Sequence, residues 1–327
     1  MKTKLKLSVA CGIAALLVGF NVQAEEKTFS IGGDVELDLT AKDTDASGSS
    51  YYNGGRVKLN ATGEMKGENG SFVKGVAQPL VPFKGDALGY DDVYLQFGRP
   101  AWDVQIGRFE GLDLFPAGKD TVVEHAAGMS HYGTNDSRGR KSNVIHTALH
   151  LKPNDATTFE LGVMGTKNTS DYDKFTAIRP AISYKAGMAT LRAGIESVKS
   201  DEAGDAAKEV SHTGFGLSGG FDLAGGSLNV NLAKKNYKKD AGADKTTYGV
   251  NYTQGPWGVG YIGAKEDYSS IDAKLNTFYA AYSIPLMGLK DATVTFAAST
   301  SKATDVGGTK GNDDNVNAFR TRFNYAF

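Results

Sequence analysis

"NAFRTRFNYAF" (residues 317–327) alternates strictly, with Phe319, Thr321, Phe323, Tyr325 and Phe327 on one parity and Ala318, Arg320, Arg322, Asn324 and Ala326 on the other. Successive side chains of a strand point to opposite sides, so in extended form this stretch shows rings to one face and guanidinium groups to the other. A sandwich in water would turn the rings to a core and the arginines to solvent. A closed barrel in a bilayer would turn the rings to lipid and the arginines to a wet interior. One strand does not choose between them, so the choice falls to the remaining sequence.

Of 327 residues, 40% are hydrophobic, and 36 basic residues nearly balance 37 acidic ones. That balance gives no basic surface for nucleic acid and no polybasic membrane anchor. Mean hydropathy is −0.31, which argues against a bundle of membrane helices. Glycine is over-represented, at 41 residues where about 7% is usual. Such a chain favours many turns and close strand contacts over long helices.

Residues 1–24 read as a secretory signal peptide. Lys2, Lys4 and Lys6 precede an apolar run from Leu7 to Phe20, and Val22-Gln23-Ala24 forms a small-x-small cleavage site. The run is too short to span a bilayer, and no other segment approaches the ~20 apolar residues a spanning helix needs. Cys11 follows Ser8-Val9-Ala10 rather than a leucine-led lipobox, which disfavours lipidation. Cleavage after Ala24 removes three lysines and no acids, taking the net charge from −1 to −4 and leaving no cysteine.

Residues 25–327 then read as one domain of period-2 segments separated by turns. Examples are FSIGGDVELDLTA (29–41), TFELGVMGTK (158–167), TGFGLSGGFDLA (213–224) and LNTFYAAYSIPL (275–286). About sixteen such segments are counted, an even number. Short turns such as KPNDA and QGP alternate with longer polar loops such as KDTDASGSSYYNG, TKNTSDYDK and DVGGTKGNDD. That alternation is expected of an outer-membrane barrel and not of Greek-key crossings. One parity collects Val57, Leu59, Leu161, Leu217, Val250, Val259 and Phe278, while the other carries Arg56, Lys58, Glu64, Glu160, Arg179, Lys185, Arg192, Glu196 and Lys235. Segments of ~10 residues can cross a bilayer as tilted strands. The predicted fold is therefore an all-β transmembrane antiparallel up-and-down barrel, with the charges facing a lumen and Tyr252, Trp257, Tyr268 and Phe327 in interfacial girdles.

One connection is much longer than the rest, FEGLDLFPAGKDTVVEHAAGMSHYGTNDSRGRK (109–141). A loop of that length in a compact domain is commonly a functional element.

The chain resembles the Gram-negative general porins. The resemblance is carried by VYLQFGRPAWDVQIGRFEG (93–111), similar to that family's paired fourth and fifth strands with their Gly-Arg end, by SRGRKSNV (137–144) leading into the sixth, and by the terminal Phe327. It implies trimers of 16-stranded barrels in the outer membrane, reached through the periplasm, with the loop from Glu110 to Arg140 folded into the lumen as a constriction. The implied function is passive diffusion of small hydrophilic solutes and ions, without enzymatic activity or cofactor. Where the family carries an acidic loop motif, DLFPAGKD stands here.

Carried over, Arg56 and Arg108 match positions of a basic wall and Arg140 matches the arginine leading into strand six, with Asp113, Asp120 and Glu124 as the facing acids. Parity counted from Trp102, Val104 and Ile106 puts Arg108 on the lipid side, and a bulge at Gly107 would turn it inward. Lys58, Arg179, Arg192, Arg320 and Arg322 complete the expected lining, opposite Asp34, Glu36, Asp38, Glu64 and Glu160. Opposed rows of charge would give a transverse field, whereas charges paired with each other would contribute little. By the same resemblance, Phe323, Tyr325 and Phe327 form the signal read by the barrel-assembly machinery, and the loop from Pro79 to Asp92 latches a neighbour in a homotrimer. Membrane lipid and lipopolysaccharide are the expected surroundings, and no nucleic-acid partner is expected.

Two other chemistries are weighed. Tyr51, Tyr52, Phe83, Tyr90, Phe109, Phe115, Tyr132 and Tyr172 fall in expected loops, where aromatic faces beside polar groups suit sugars in transit. A saccharide-selective pore is therefore the alternative. His146 and His150 share the inward parity of strand six with Ser142 nearby, which would suit an outer-membrane lipase only if the serine met its base at the lipid face. Without cysteine and with few histidines, the mature chain offers no evident zinc or haem site, and GGTKGNDDN (307–315) lacks calcium-loop spacing.

Overall fold

The computed structural model describes residues 24–85, 88–203, 209–238 and 242–327; the expected signal peptide up to residue 23 lies outside the described residues. Alternating sequence becomes strand almost throughout: β1 (Ala24–Thr44), β2 (Gly48–Gly67), β3 (Phe72–Pro82), β4 (Gly89–Arg99), β5 (Trp102–Arg108), β6 (Ile145–Asn154), β7 (Thr157–Lys167) and β8 (Tyr172–Ala186). The second half continues with β9 (Ala189–Glu202), β10 (Glu209–Leu223), β11 (Gly226–Tyr237), β12 (Asp244–Gln254), β13 (Trp257–Asp267), β14 (Asp272–Pro285), β15 (Ala292–Thr304) and β16 (Asp314–Ala326). Each pairs antiparallel with its neighbours in sequence, and β16 pairs with β1 to close the barrel. Closure leaves no unpaired edge, which a strand in lipid could not tolerate.

The closing seam uses the stretch quoted above. Phe323 stands opposite Leu37 and Phe319 opposite Ala41, so the rings join the outward row. Beyond β16 the backbone of Phe327 exchanges two hydrogen bonds with Gly33, at 2.8 and 3.0 Å. Gly33 permits this approach, because a β-carbon there would lie 2.5 Å from the Lys58 carbonyl oxygen and 2.8 Å from the Phe327 ring.

Outward positions such as Phe29, Ile31, Leu217, Val250, Val259 and Phe278 are exposed apolar side chains, as lipid contact requires. The inward face divides in two. On β1, β2 and β16 it is charged, with Glu36 directly opposite Arg56, Asp34 opposite Lys58 and Asp38 opposite Arg322, favourable cross-strand pairs. On β10 to β15 it carries many small residues, among them Gly214, Gly216, Gly249, Ala281 and Ala297. Three buried apolar clusters lie on that second half, among them Phe115 and Tyr132 packed on Ala233, Ile262 and Tyr279, and Val122 packed on Ala281, Ala297 and Ala318, while a fourth joins Val144 to Met164, Phe175, Ala177 and Val198 on β7 to β9.

The expected contrast between short turns and long loops is weaker than the composition suggests. Apart from the connection after β5, the links at one end span two to six residues and those at the other three to nine. KDTDASGSSYYNG is mostly strand, with Thr44 opposite Gly48 and Asp45 to Ser47 as the turn. The Ser47 amide donates to Thr44 Oγ1 at 2.9 Å, a local side-chain bond that closes a tight hairpin from polar residues. Tyr51, Tyr52, Tyr90 and Tyr172 consequently sit in strands and not in loops.

Candidate functional site: the lumen and its inserted loop

The segment between β5 and β6 turns into the barrel and is held there from both ends. Glu110 bridges to Gly139, and the Gly111 amide donates to the Arg138 carbonyl at 2.7 Å. Gly139 (φ +136°) and Arg140 (φ +53°) adopt left-handed backbone where the loop returns to the wall, a conformation costing of order 1 kcal/mol for a non-glycine residue. Arg140 is compensated by ion pairs to Asp91 at 2.6 Å and Asp92 at 2.7 Å. The Phe109 ring stacks on His146 with centroids 4.0 Å apart.

Inside the lumen the loop is clasped by buried charge. Both Glu160 carboxylate oxygens accept from the Leu112 amide, at 3.0 and 2.9 Å, and Arg179 donates to Glu160 at 3.2 Å, to the Leu112 carbonyl at 2.8 Å and to the Thr134 carbonyl at 3.0 Å. A second clasp is Glu196, which accepts from the Tyr132 hydroxyl and from the amide and hydroxyl of Ser137, at 2.9 and 2.7 Å. Burial, then the adjacent Glu196 charge, pushes the Tyr132 phenol far up. Asn231 and Asn251 both donate to the Pro116 carbonyl, at 2.9 and 2.8 Å.

The loop then crosses to the charged wall. Asp120 receives Arg320 at 2.8 Å and Arg322 at 3.0 Å, and Arg322 also forks onto Asp38 at 2.7 and 2.6 Å. Glu124 pairs with Lys42 at 2.9 Å and accepts from Tyr52 at 3.1 Å. Nearby, Arg56 pairs with Asp34 at 2.8 Å, Lys58 lies 3.7 Å from both Asp34 and Asp91, and Arg138 lies 3.7 Å from Asp113. Acids and bases are thus interleaved in contact, where opposed rows were one of the two expectations.

Several expected site residues lie elsewhere than on an open lining. Arg179 is 1% exposed and secures the loop from beneath. Arg108 stands opposite Val93 in the outward row, and the extended left-handed φ of Gly107 (+139°) does not turn it inward. Its guanidinium donates to the carbonyls of Tyr90, Asp91 and Arg140. Arg192 faces inward from β9, with no ion pair among the described residues. Phe109, Phe115 and Tyr132 are 1%, 6% and 2% exposed, so they pack the loop and offer no stacking surface. Asp91, Asp92, Glu110 and Arg138 carry no signal in the strand pattern, and Glu196 is legible from sequence only as a charge on the inward parity. The signal that points to the loop's seat is the run of small inward residues: a β-carbon on Gly216 would meet Thr134 and Leu114, and one on Gly249 would meet Phe115.

The other candidate chemistries find structural roles. His150 bonds Asp103 at 2.6 Å and Glu160 at 3.2 Å, and His146 Nδ1 lies 3.2 Å from the Phe109 carbonyl oxygen. Neither meets a serine hydroxyl among the described contacts. Asp136, Glu196 and His212 bring ligand atoms within 4.8 Å of one another, but the Lys235 ammonium stands 2.6 Å from Asp136, where a metal cation would have to compete. Burial acts to raise the Asp136 carboxyl, and His212 and Lys235 overcome it, holding that acid well below the usual range.

A family model described as the porin-like glycoporin RafY matches residues 18–327. The chain belongs to this porin family. It is an outer-membrane protein of the Gram-negative type, forming a water-filled channel through which small hydrophilic solutes diffuse passively. Among curated proteins, no relative matches by sequence. Solved structures share the fold. The anion-selective porin of Comamonas acidovorans is 16% identical, with TM-score 0.71 over 92% of this porin and 100% of that chain. The trimer form of OmpT from Vibrio cholerae is 12% identical, with TM-score 0.68 over 93% and 100%. A Rhodopseudomonas blastica porin mutant is 15% identical, with TM-score 0.59 over 91% and 100%.

Proposed function

We propose that the narrowest passage lies between the charged wall and the loop tip, at Asp120, Glu124, Arg320, Arg322, Arg56, Lys58 and Arg140, and that it passes neutral hydrophilic solutes, sugars among them, with weak ion preference. The observation that carries this reading is the seating of Asp120 on both Arg320 and Arg322. Charges in contact cancel within a few ångströms, so the net field across the water path is small. The family description supports saccharide passage, and the burial of the loop aromatics favours a polar path over a stacked one. The same reading takes the channel to be a homotrimer, without enzymatic activity, whose signal peptide is removed after Ala24. Tyr325 and Phe327, exposed on the outward face, together with Phe323, serve as its insertion signal.

Currents from purified, refolded protein in a planar bilayer under a salt gradient test this, with oligosaccharides added afterwards. Ohmic steps in threes, with a reversal potential near zero, are expected. No channels from a folded, heat-modifiable barrel would overturn it, and a reversal potential close to that of a perfectly selective pore would overturn the weak preference.

A further inference from the structure

On the wall formed by β9 to β11 a row of polar side chains holds buried polar atoms without partners among the described residues. Arg192 stands directly opposite Ser218, and Ser218 directly opposite Asn231, across three neighbouring strands. No ion pair or hydrogen bond to the Arg192 guanidinium is found among the described residues, and its Nη1 is sealed from solvent and unbonded, as are Ser218 Oγ and Asn231 Oδ1. Ser218 and Asn231 are 1% and 3% exposed. A buried cationic nitrogen without an acceptor and a buried amide oxygen without a donor are uncommon in folded proteins, and each calls for a physical reason.

The surroundings narrow what the row would accept. Arg56, Arg140, Arg320 and Arg322 each have protein carboxylates, and Arg192 has none among the described residues, which leaves its charge open to a ligand carboxylate. The Asn231 amide nitrogen is committed to the Pro116 carbonyl, which leaves its unbonded oxygen as a pure acceptor. A halide or a simple carboxylate would satisfy Arg192 and leave that oxygen bare, whereas a ligand hydroxyl would donate to it. Gly220 lets the Arg192 guanidinium and Asn229 lie close over the backbone, with Arg192 Nη1 and Asn229 Oδ1 3.7 and 3.0 Å from where a β-carbon would stand. Cross-strand neighbours are ~5 Å apart, so the row spans about the reach of one sugar ring with its substituents.

We propose that Arg192, Ser218 and Asn231 form a binding step for a hydroxylated carboxylate, a monosaccharide acid, with the carboxylate on Arg192 and ring hydroxyls on Ser218 and Asn231. This rests on the channel reading above. Arg192 keeps part of its side chain exposed, so a solute meets it first and draws the guanidinium off Gly220 as it binds.

The test is block of single-channel current by D-glucuronate, with D-glucose and acetate as probes that each carry half of its chemistry. Glucuronate should half-block at a concentration at least ~10-fold below either, as expected for a charge-assisted bond added to hydroxyl contacts. Arg192→Gln should reduce the preference for glucuronate over glucose about tenfold, with Arg192→Lys intermediate because it keeps the charge and loses the fork. Acetate as effective as glucuronate, or an unchanged preference in both variants, would overturn the proposal. Ohmic steps with no block by any probe would overturn it alone, and a folded barrel with no steps would sink the channel reading with it.

Discussion

Asp120 occupies the position where loop and wall charges meet, exposed to the water path while holding Arg320 and Arg322. Asp120→Asn should release both guanidinium groups and shift permeation toward anions. Two unit charges 4 Å apart interact by about 1 kcal/mol in water, so the anion-to-cation permeability ratio should rise roughly fivefold, read as a reversal potential. An unchanged potential would place the selective point elsewhere. His125 makes a different prediction. It bonds Thr277 Oγ1 and His131, both at 2.8 Å, with Glu124, Asp113 and Lys245 among the charges around the pair. Burial, then the neighbouring His131, pushes the His125 imidazole down to about 4, and burial with Lys245 lowers His131 also. An undocked loop would titrate near the ordinary 6.5. Docking should therefore be constant above 6.5, weaken as pH falls from there to about 4, and change no further below. Current noise recorded across that range should rise as pH falls, and His125→Gln should flatten the response; a wild-type channel equally quiet throughout would refute it. Parity alone made Arg320 and Arg322 legible as lumen residues. It could not show that Arg179 lies beneath the loop, because a strand's alternation specifies a face and is blind to what covers it.

The inserted loop is held less by its own sequence than by the wall it lies on. Glu196 takes three loop donors, so Glu196→Ala should strand buried polar groups at about 1–3 kcal/mol each. The expected result is a noisier, larger conductance from a barrel that still shows heat-modifiable mobility on gels, which separates loop release from unfolding. The seam between β1 and β16 makes an opposite case, in which the strands themselves are at stake. Gly33→Val should drive a side chain into the Lys58 carbonyl and the Phe327 ring, costing about 1–3 kcal/mol and lowering the refolded fraction. A normal refolding yield would show that the terminal ring is dispensable to closure. Strand existence was legible because a two-residue period survives in every segment. Strand ends were not, since Ser, Thr and Tyr carry the β1–β2 pairing on to Thr44 and Gly48 with residue types that composition assigns equally well to a loop.

For the channel as a unit, unheated samples should migrate on gels as a trimer and dissociate to one heat-modifiable species on warming; a monomer throughout would remove the trimer from the proposal. The barrel's closure and its lipid-facing exterior follow from local rules, since alternation, turn residues and an even number of spanning segments leave few alternatives for a backbone that must satisfy its hydrogen bonds in a bilayer. The sequence by itself determined the barrel, the approximate strand number and the wet placement of Arg320 and Arg322. Only the tertiary structure decided which charges meet, that Arg179 lies beneath the loop, and that Arg192 meets no carboxylate among the described residues. The physical reason is distance: alternation acts between residues one or two apart, while the loop's contacts join it to strands about two hundred residues away, such as Asp120 on Arg320 and Arg322.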